Sequence, residues 1–210
     1  TRSYSVTGVQ TCALPTSPRY DGASCEVGPL ARTLVSYASG HEATVKYVDY
    51  VLKTLDVPAT ALFSTLGRTA ARAINCLVIA EQAKTWVMDL LANLKKGDAA
   101  SYAAWEFPKG EAMGVGLTDV PRGALGHWIV MDGGKIKNYQ QVVPSTWNLG
   151  PRCEKGTLGP VEESLIGTPI ADPEKPLEVL RTVHSFDPCI ACAVHVIDPK
   201  NNKVHKVRAV

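Results

Sequence analysis

The chain has 210 residues, of which 45% are hydrophobic and 20% are charged; this suits one folded domain or slightly more and excludes a disordered chain. Its 22 basic and 20 acidic residues leave a formal charge of +2 without a basic block, which argues against nucleic acid as the main partner. No apolar run reaches the roughly 18 residues of a membrane helix, and no leading segment has the order of a signal peptide.

The first 16 residues have no helical or strand periodicity and do not lead into the segment that follows. Within them, VTGVQTCALP resembles the translation of a short-read sequencing adapter. We therefore predict that residues 1–16 are a cloning or assembly artefact, and that the natural chain continued upstream of Ser17. An ordinary disordered terminus is the alternative. On this hypothesis Cys12 has no function.

Three helices are predicted in the first half of the chain. The first begins near Glu26 and stops at Ser39-Gly40, and the second ends before Pro58. The third, over about residues 61–96, is the longest. Its apolar residues form a broad stripe: Leu66, Ala70, Ile74, Leu77, Val87, Leu91 and Leu94. Because so much apolar surface needs neighbours on more than one side, we predict a helical bundle around this helix.

After Gly97 the sequence is rich in glycine, proline and aromatic residues. Four glycines, at 114, 116, 123 and 126, predict a loop ending at His127-Trp128. Residues 128–131 and 136–143 around Asp132-Gly133-Gly134 predict a β-hairpin, and residues 144–160 are predicted to be irregular. A short helix from Pro173 or Pro176 and a hairpin over 193–197 and 204–207 follow. The predicted fold class is α+β, mainly α, with small β-hairpins near the metal site.

The strongest chemical signal is Asp187-Pro-Cys189-Ile-Ala-Cys192, followed by His195. Two thiols three residues apart can bind one soft or borderline metal, such as zinc, iron or nickel, if a metal or cation keeps them deprotonated. This pattern alone leaves open a metal site (zinc with Cys153 and His184 as further ligands), a redox pair or structural thiols. The remaining cysteines are too scattered for a disulfide framework.

Five motifs occur in a fixed order along the chain. They are EVGPLAR (26–32), LGRTAAR (66–72), PRGALGHW (121–128), VVPSTW (142–147) and HSFDPCIACAVH (184–195). Together they resemble the C-terminal part of the large subunit of nickel–iron hydrogenases of the respiratory uptake type, from about Ser17 to the C-terminus. Relatives in respiratory complex I lack the C-terminal cysteine pair, which this chain has.

The resemblance implies a nickel–iron centre with four cysteine ligands, whose iron binds CO and cyanide. Cys189 corresponds to a terminal nickel ligand and Cys192 to one that bridges nickel and iron. The other two ligands belong to an N-terminal C-x-x-C motif, which is not in this sequence. The resemblance also implies Mg²⁺ or Fe²⁺ near the C-terminus, bound by His195 and the backbone carbonyl of Gln141. Imidazole is an unusual ligand for magnesium, so this assignment depends on the resemblance.

The resemblance also implies roles for residues around the metals. Arg122 corresponds to an arginine held over the cluster, and Asp187 to the carboxylate that pairs with it. Pro121 and Ser145 correspond to residues that line the diatomic ligands, where a donor is needed for a cyanide nitrogen in a dry pocket. H2 is a very weak acid, so its heterolytic cleavage needs a nearby base, such as the Cys189 thiolate or the Arg122 side chain.

The implied partners are a small subunit with iron–sulfur clusters, nickel-insertion proteins and an endopeptidase that removes residues 196–210 after His195. The resemblance places the membrane-associated heterodimer at the periplasmic face of the cytoplasmic membrane. Export follows a twin-arginine signal on the small subunit, so the chain is cytoplasmic before export. We therefore predict a truncated catalytic subunit that is inactive alone and supplies two of the four cysteine ligands. A non-catalytic, zinc-like or redox C-x-x-C module is the alternative, and an upstream R-x-C-G-x-C motif would decide between them.

Overall fold

The structure, a computed structural model, describes residues 18–172 and 175–189 and the backbone of two short strands at 195–197 and 204–206. The predictions about residues 1–16, Cys192 and the side chain of His195 lie outside the described residues. The fold divides into two compact units. Unit 1 contains the described residues of 1–26, 117–126 and 140–210, and unit 2 contains residues 27–116 and 127–139.

Three α-helices and a short 3₁₀-helix form most of unit 2. Helix α1 spans Pro29–Ala38, α2 spans Glu42–Leu55, the 3₁₀-helix spans Ala59–Leu62, and α3 spans Thr65–Lys95. Ser64 begins α3 because its hydroxyl accepts a hydrogen bond from the Gly67 N–H at 3.0 Å. These bounds confirm the three predicted helices, including the stop at Ser39-Gly40, where Gly40 has a φ of +73°.

The core of unit 2 lies where α1, α2 and the beginning of α3 meet. Its buried members are Leu30, Val48, Leu62, Ala71 and Ile74. The predicted apolar stripe of α3 is only partly correct, since Ile74 is buried but Leu66 and Leu77 are exposed. Small residues of α3 make the contact instead, because they let the neighbouring backbone approach closely. The buried residues of α3 all precede Asn75, so a bundle along its whole length stays a prediction.

Replacing Gly67 by alanine will destabilise the chain, because a Cβ atom there would lie 2.1 Å from the carbonyl oxygen of Leu62. Relief of this clash needs a backbone shift, and such overpacking costs about 1–3 kcal/mol or more. Urea unfolding followed by circular dichroism measures the loss. Gly116→Ala is the matched control, since nothing lies within 4 Å of its Cβ position. Equal unfolding midpoints for the two variants would contradict this account.

A three-stranded antiparallel sheet contains β1 (Ala112–Val120), β2 (Gly123–Asp132) and β3 (Lys135–Val142), in that order. The predicted hairpin around Gly133-Gly134 is confirmed, and both glycines have positive φ. The predicted glycine-rich loop is wrong, because Gly114 and Gly116 lie within β1 and Gly123 and Gly126 within β2. One of these glycines packs closely, since a Cβ at Gly114 would lie 3.2 Å from Ile129 Cγ2.

Unit 1 contains three short helices: α4 (Pro144–Asn148), α5 (Pro160–Leu165) and α6 (Leu177–Ser185). Helices α4 and α5 each begin with proline, a residue suited to the first helical position. The segment predicted to be irregular therefore contains one helix and the start of another, whereas α6 agrees with the predicted short helix. Strands β4 (His195–Ile197) and β5 (Val204–Lys206) pair antiparallel, with His195 opposite Lys206, as the C-terminal pattern predicts.

The described residues therefore combine helices and small antiparallel sheets, in agreement with the predicted mixed class. None of the helices that the structure describes has both the length and the hydropathy needed to cross a membrane.

Candidate metal centre

The loop that follows α6 presents Cys189. Helix α6 ends at Ser185 and is followed by the buried Phe186, and the N–H of Asp187 donates to the carbonyl of His184 at 2.9 Å. Asp187 has a φ of +51°, in the left-handed region, which reverses the chain direction. Pro188 then prevents the helix from continuing. As a result, Cys189 lies outside the helix with an exposed thiol group.

Ser145, in the first turn of α4, holds the backbone of this loop. Its side chain is buried, and the N–H of Cys189 donates to its Oγ at 3.1 Å. A serine hydroxyl can accept and donate at the same time. This contact occupies the oxygen as an acceptor and leaves the hydroxyl proton as a donor to a further group.

Arg122 and Asp187 form an ion pair beside the same loop. Arg122 lies in the two-residue turn between β1 and β2, next to Pro121. Its Nε donates to the Asp187 carbonyl oxygen at 3.0 Å and lies 3.2 Å from the carboxylate Oδ2. Both side chains are about half exposed in this chain, so the pair contributes at most about 1 kcal/mol to stability. Its main effect is therefore to orient the guanidinium group.

The structure thus brings together four of the predicted site residues: Arg122, Ser145, Asp187 and Cys189. They come from a hairpin turn, the start of a short helix and the loop after another helix, which are far apart in sequence. Gln141 lies near the end of β3, and His195 begins β4. The side chain of His195 is outside the described residues, so its predicted role as a magnesium ligand stays a prediction.

The described residues fit one part of a soft metal site. An exposed thiol beside an ion-paired arginine has the chemistry of a metal thiolate ligand. Among the residues that the structure describes, no group of three histidine, cysteine or acidic side chains lies close enough to hold a metal ion. Hence Cys153 and the exposed His184 do not complete a zinc site with Cys189 among these residues.

Cys153 has a different environment, which sequence reasoning missed. It is buried in a turn of unit 1, where its N–H donates to the Thr157 carbonyl at 2.8 Å. Burial raises the pKa of its thiol, but backbone N–H groups of Ser24, Thr157 and Lys155 and the Thr157 side chain donate to the sulfur and lower the pKa to about 7. The thiolate thereby joins two turns of unit 1.

This environment predicts a pH-dependent stability. The folded-state pKa of Cys153 is about 7 against an ordinary 9.0, so the stabilisation is complete above pH 9 and is lost as the pH falls through 7. We expect the free energy of unfolding to rise between pH 7 and pH 9, and this rise to disappear in Cys153→Ser. Urea titrations at several pH values measure it, with the exposed Cys76→Ser as control. A rise that persists in Cys153→Ser would refute the assignment.

Three features define a candidate metal–thiolate site. They are an accessible cysteine thiol, a buried serine that fixes the backbone of that cysteine, and an arginine oriented by a carboxylate. Comparison with known protein families shows which family of metal-dependent proteins the chain belongs to. The nickel-dependent hydrogenase family matches residues 10–195, and the chain therefore belongs to this family of oxidoreductases.

Individual relatives agree with the family match. The chain is 50% identical over 197 residues to the uptake hydrogenase large subunit of Bradyrhizobium diazoefficiens, covering 91% of this chain and 33% of the relative. It is 46% identical over 201 residues to the hydrogenase-2 large chain of Escherichia coli K12, covering 91% and 35%. Among solved structures, the reduced, active Ni-Fe-Se hydrogenase of Desulfomicrobium baculatum matches with a TM-score of 0.66 and 37% identity, covering 83% and 36%.

The chain thus spans about a third of the length of the curated relatives that it matches.

Proposed function

We propose that this chain is part of the catalytic large subunit of a nickel–iron hydrogenase that oxidises H2. The observation that supports this most directly is the exposed Cys189 thiol on a loop held by Ser145 and by the Arg122–Asp187 pair, in a chain of this family. The proposal includes the resemblance-based boundaries: an artefact at residues 1–16, the subunit proper at 17–195, and an extension at 196–210 that is removed on maturation.

Cys189 and Cys192 would hold the nickel–iron centre, together with two cysteines from outside this chain. The bound centre supplies the acceptor for the electrons of H2, and its iron carries the CO and cyanide ligands. Pro121 and Ser145 would line those ligands, with the Ser145 hydroxyl proton as the donor to a cyanide nitrogen. His195 and the Gln141 carbonyl would bind Mg²⁺ or Fe²⁺.

The remaining chemistry belongs to the side chains around Cys189. Asp187 neutralises part of the guanidinium charge and fixes the direction of the Arg122 side chain through two contacts with Nε. The Cys189 sulfur would receive the proton released from H2, because a thiolate can accept a proton whereas the Arg122 guanidinium is already protonated at neutral pH. Arg122 would stabilise the negative charge that remains when the proton leaves H2. Ser145 keeps the Cys189 backbone in place while the protonation state of the sulfur changes.

The proposed partners follow from the same family. A small subunit with iron–sulfur clusters would receive the electrons, and nickel-insertion proteins and an endopeptidase would act on the precursor. The sequence resemblance implies a membrane-associated enzyme at the periplasmic face of the cytoplasmic membrane.

The test is to express the complete reading frame that contains residues 17–210 with its small subunit and maturation proteins. We expect the purified complex to contain nickel and to reduce an artificial electron acceptor with H2, whereas the 210-residue chain alone does neither. Elemental analysis also distinguishes the alternative, since a zinc-like module would contain zinc. A complete product without nickel and without H2 uptake would overturn the proposal.

A further inference from the structure

Two cysteines of unit 1 lie on segments that contact each other although they are far apart in sequence. Cys25 follows a tight turn in which the backbones of Tyr20 and Ala23 exchange two hydrogen bonds of 3.0 Å. Cys153 begins the turn that ends at Thr157. Both thiols are free in this structure, and the proposed metal centre uses neither of them.

Side-chain contacts hold the two segments together near the cysteines. Arg19 Nη2 donates to the Pro151 carbonyl oxygen at 2.8 Å, and the Ser24 hydroxyl lies 3.5 Å from the same oxygen. From the opposite segment, the Lys155 ammonium group donates to the Asp21 carbonyl oxygen. These contacts run in both directions, so the turn before Cys25 is fixed against the turn that contains Cys153.

The sulfur of Cys153 contacts the backbone that leads into Cys25. The Ser24 N–H donates to this sulfur, and Cys25 is the next residue, with its Cα atom about 3.8 Å from that of Ser24. A disulfide requires two Cα atoms within about 7 Å of each other. Neighbouring residues on two contacting segments can meet this condition, and side-chain rotation then brings the two sulfur atoms together.

The two thiols differ in exposure and in acidity. Cys25 is only partly buried, so a reagent in solution can reach it, whereas Cys153 is 6% exposed. Burial, followed by the neighbouring Glu26 carboxylate, raises the pKa of the Cys25 thiol. The pKa of Cys153 is lowered to about 7, so a large share of this sulfur is the nucleophilic thiolate at neutral pH. The accessible thiol can therefore react with an oxidant, and the buried thiolate can complete the bond.

We propose that Cys25 and Cys153 form an intramolecular disulfide when the folded protein meets a small disulfide oxidant such as glutathione disulfide. The Cys25 thiolate attacks one sulfur of the oxidant, which gives a mixed disulfide and releases one thiol. The Cys153 thiolate then attacks the Cys25 sulfur and releases the second thiol. The two protein thiols lose two electrons and two protons, and the oxidant takes them up as two thiols. This inference uses contacts within unit 1 and does not depend on the nickel centre.

The disulfide changes how the two segments are held. It replaces weak contacts by a covalent link, and a link across so long a loop stabilises the fold because it restricts the unfolded chain. It also removes the pH-dependent stability assigned to Cys153, because a sulfur in a disulfide does not ionise. The oxidised protein is therefore more stable and less sensitive to pH than the reduced protein.

Peptide mapping of the complete large subunit, purified with its small subunit, tests this proposal. One sample is incubated with glutathione disulfide and one with a thiol reductant. Both are then unfolded in excess N-ethylmaleimide and digested with trypsin. We expect the oxidised sample to contain peptide 20–32 joined to peptide 153–155, with a mass two hydrogen atoms below the sum of the two peptides. The reduced sample should contain both peptides in alkylated form.

Cys76 is the internal control, because it is an exposed thiol on α3. It should not be joined to Cys25 or Cys153 in either sample. Recovery of peptides 20–32 and 153–155 from the oxidised sample only as separate, alkylated or glutathione-bound species would overturn the proposal.

Thermal unfolding gives a second outcome. Oxidation is expected to raise the thermal midpoint of the unsubstituted protein by several degrees and to leave that of Cys25→Ser unchanged. This variant removes the link but keeps Cys153 and the groups that donate to its sulfur. An equal rise in Cys25→Ser would contradict the proposal. Nickel content and H2 uptake are measured on the same samples, so a failure of the proposed function is recognised separately from the absence of the disulfide.

Discussion

Replacing Cys189 by alanine in the complete large subunit will abolish nickel retention and H2 uptake together. The thiol is exposed on the loop after α6, so its removal leaves no cavity and the fold should persist. The loop itself stays held, because Ser145 binds the backbone N–H of residue 189, which alanine retains. Nickel retention should fail all the same, because alanine has no ligand atom and no group of three potential metal ligands lies together among the described residues.

Nickel content by elemental analysis and H2 uptake with an artificial acceptor measure this effect, and circular dichroism verifies the fold. Cys76→Ala is the matched control, because Cys76 is also an exposed thiol but lies on α3. The control should keep both nickel and activity. If Cys189→Ala kept both as well, the assignment of Cys189 as a nickel ligand would be wrong.

Replacing Arg122 by lysine is expected to lower H2 uptake by about 10²–10³-fold, the range that the loss of one oriented charge-stabilising group costs, while nickel stays bound. Lysine keeps the positive charge but lacks the planar guanidinium group. It therefore cannot reproduce the two contacts that Nε makes with the carbonyl and carboxylate of Asp187. Stability should change little, because the ion pair is half exposed.

Uptake rates at equal nickel content isolate this effect from any loss of metal. Arg152→Lys is the control, since Arg152 is exposed in the loop between α4 and α5, and it should leave the rate unchanged. A rate for Arg122→Lys within twofold of the unsubstituted enzyme would show that the guanidinium has no part in the reaction.

The ends of helices and the turns of hairpins could be predicted because single residues determine them. Gly40 ends α1, and the Gly133-Gly134 pair forms the turn between β2 and β3 through backbone angles that other residues adopt rarely. Strand β1 was missed for a related reason. Its glycines at 114 and 116 alternate with apolar residues. Closely spaced glycines are typical of a loop, so the sequence pattern does not indicate a strand here.

The site could be predicted only in part, and mainly through family resemblance. The C-x-x-C spacing indicates a metal but leaves its identity open, and nothing in the local sequence relates Ser145 to Cys189. The environment of Cys153 could not be predicted at all, because most of the groups that donate to its sulfur are backbone N–H groups of two separate turns. The predicted apolar stripe of α3 is only partly correct, because periodicity alone does not reveal that the buried residues of this helix all lie in its first third.

The left-handed backbone of Asp187 limits which residues can occupy this position. Asparagine tolerates that backbone conformation but has no charge for Arg122, whereas glutamate has the charge but adopts a positive φ only at a cost. Of the common side chains, aspartate alone meets both requirements. Aspartate thus has two functions here: it reverses the chain direction and it neutralises a cation. The Asn variant removes only the charge and the Glu variant disturbs only the backbone, so together they show how much the reaction depends on each function.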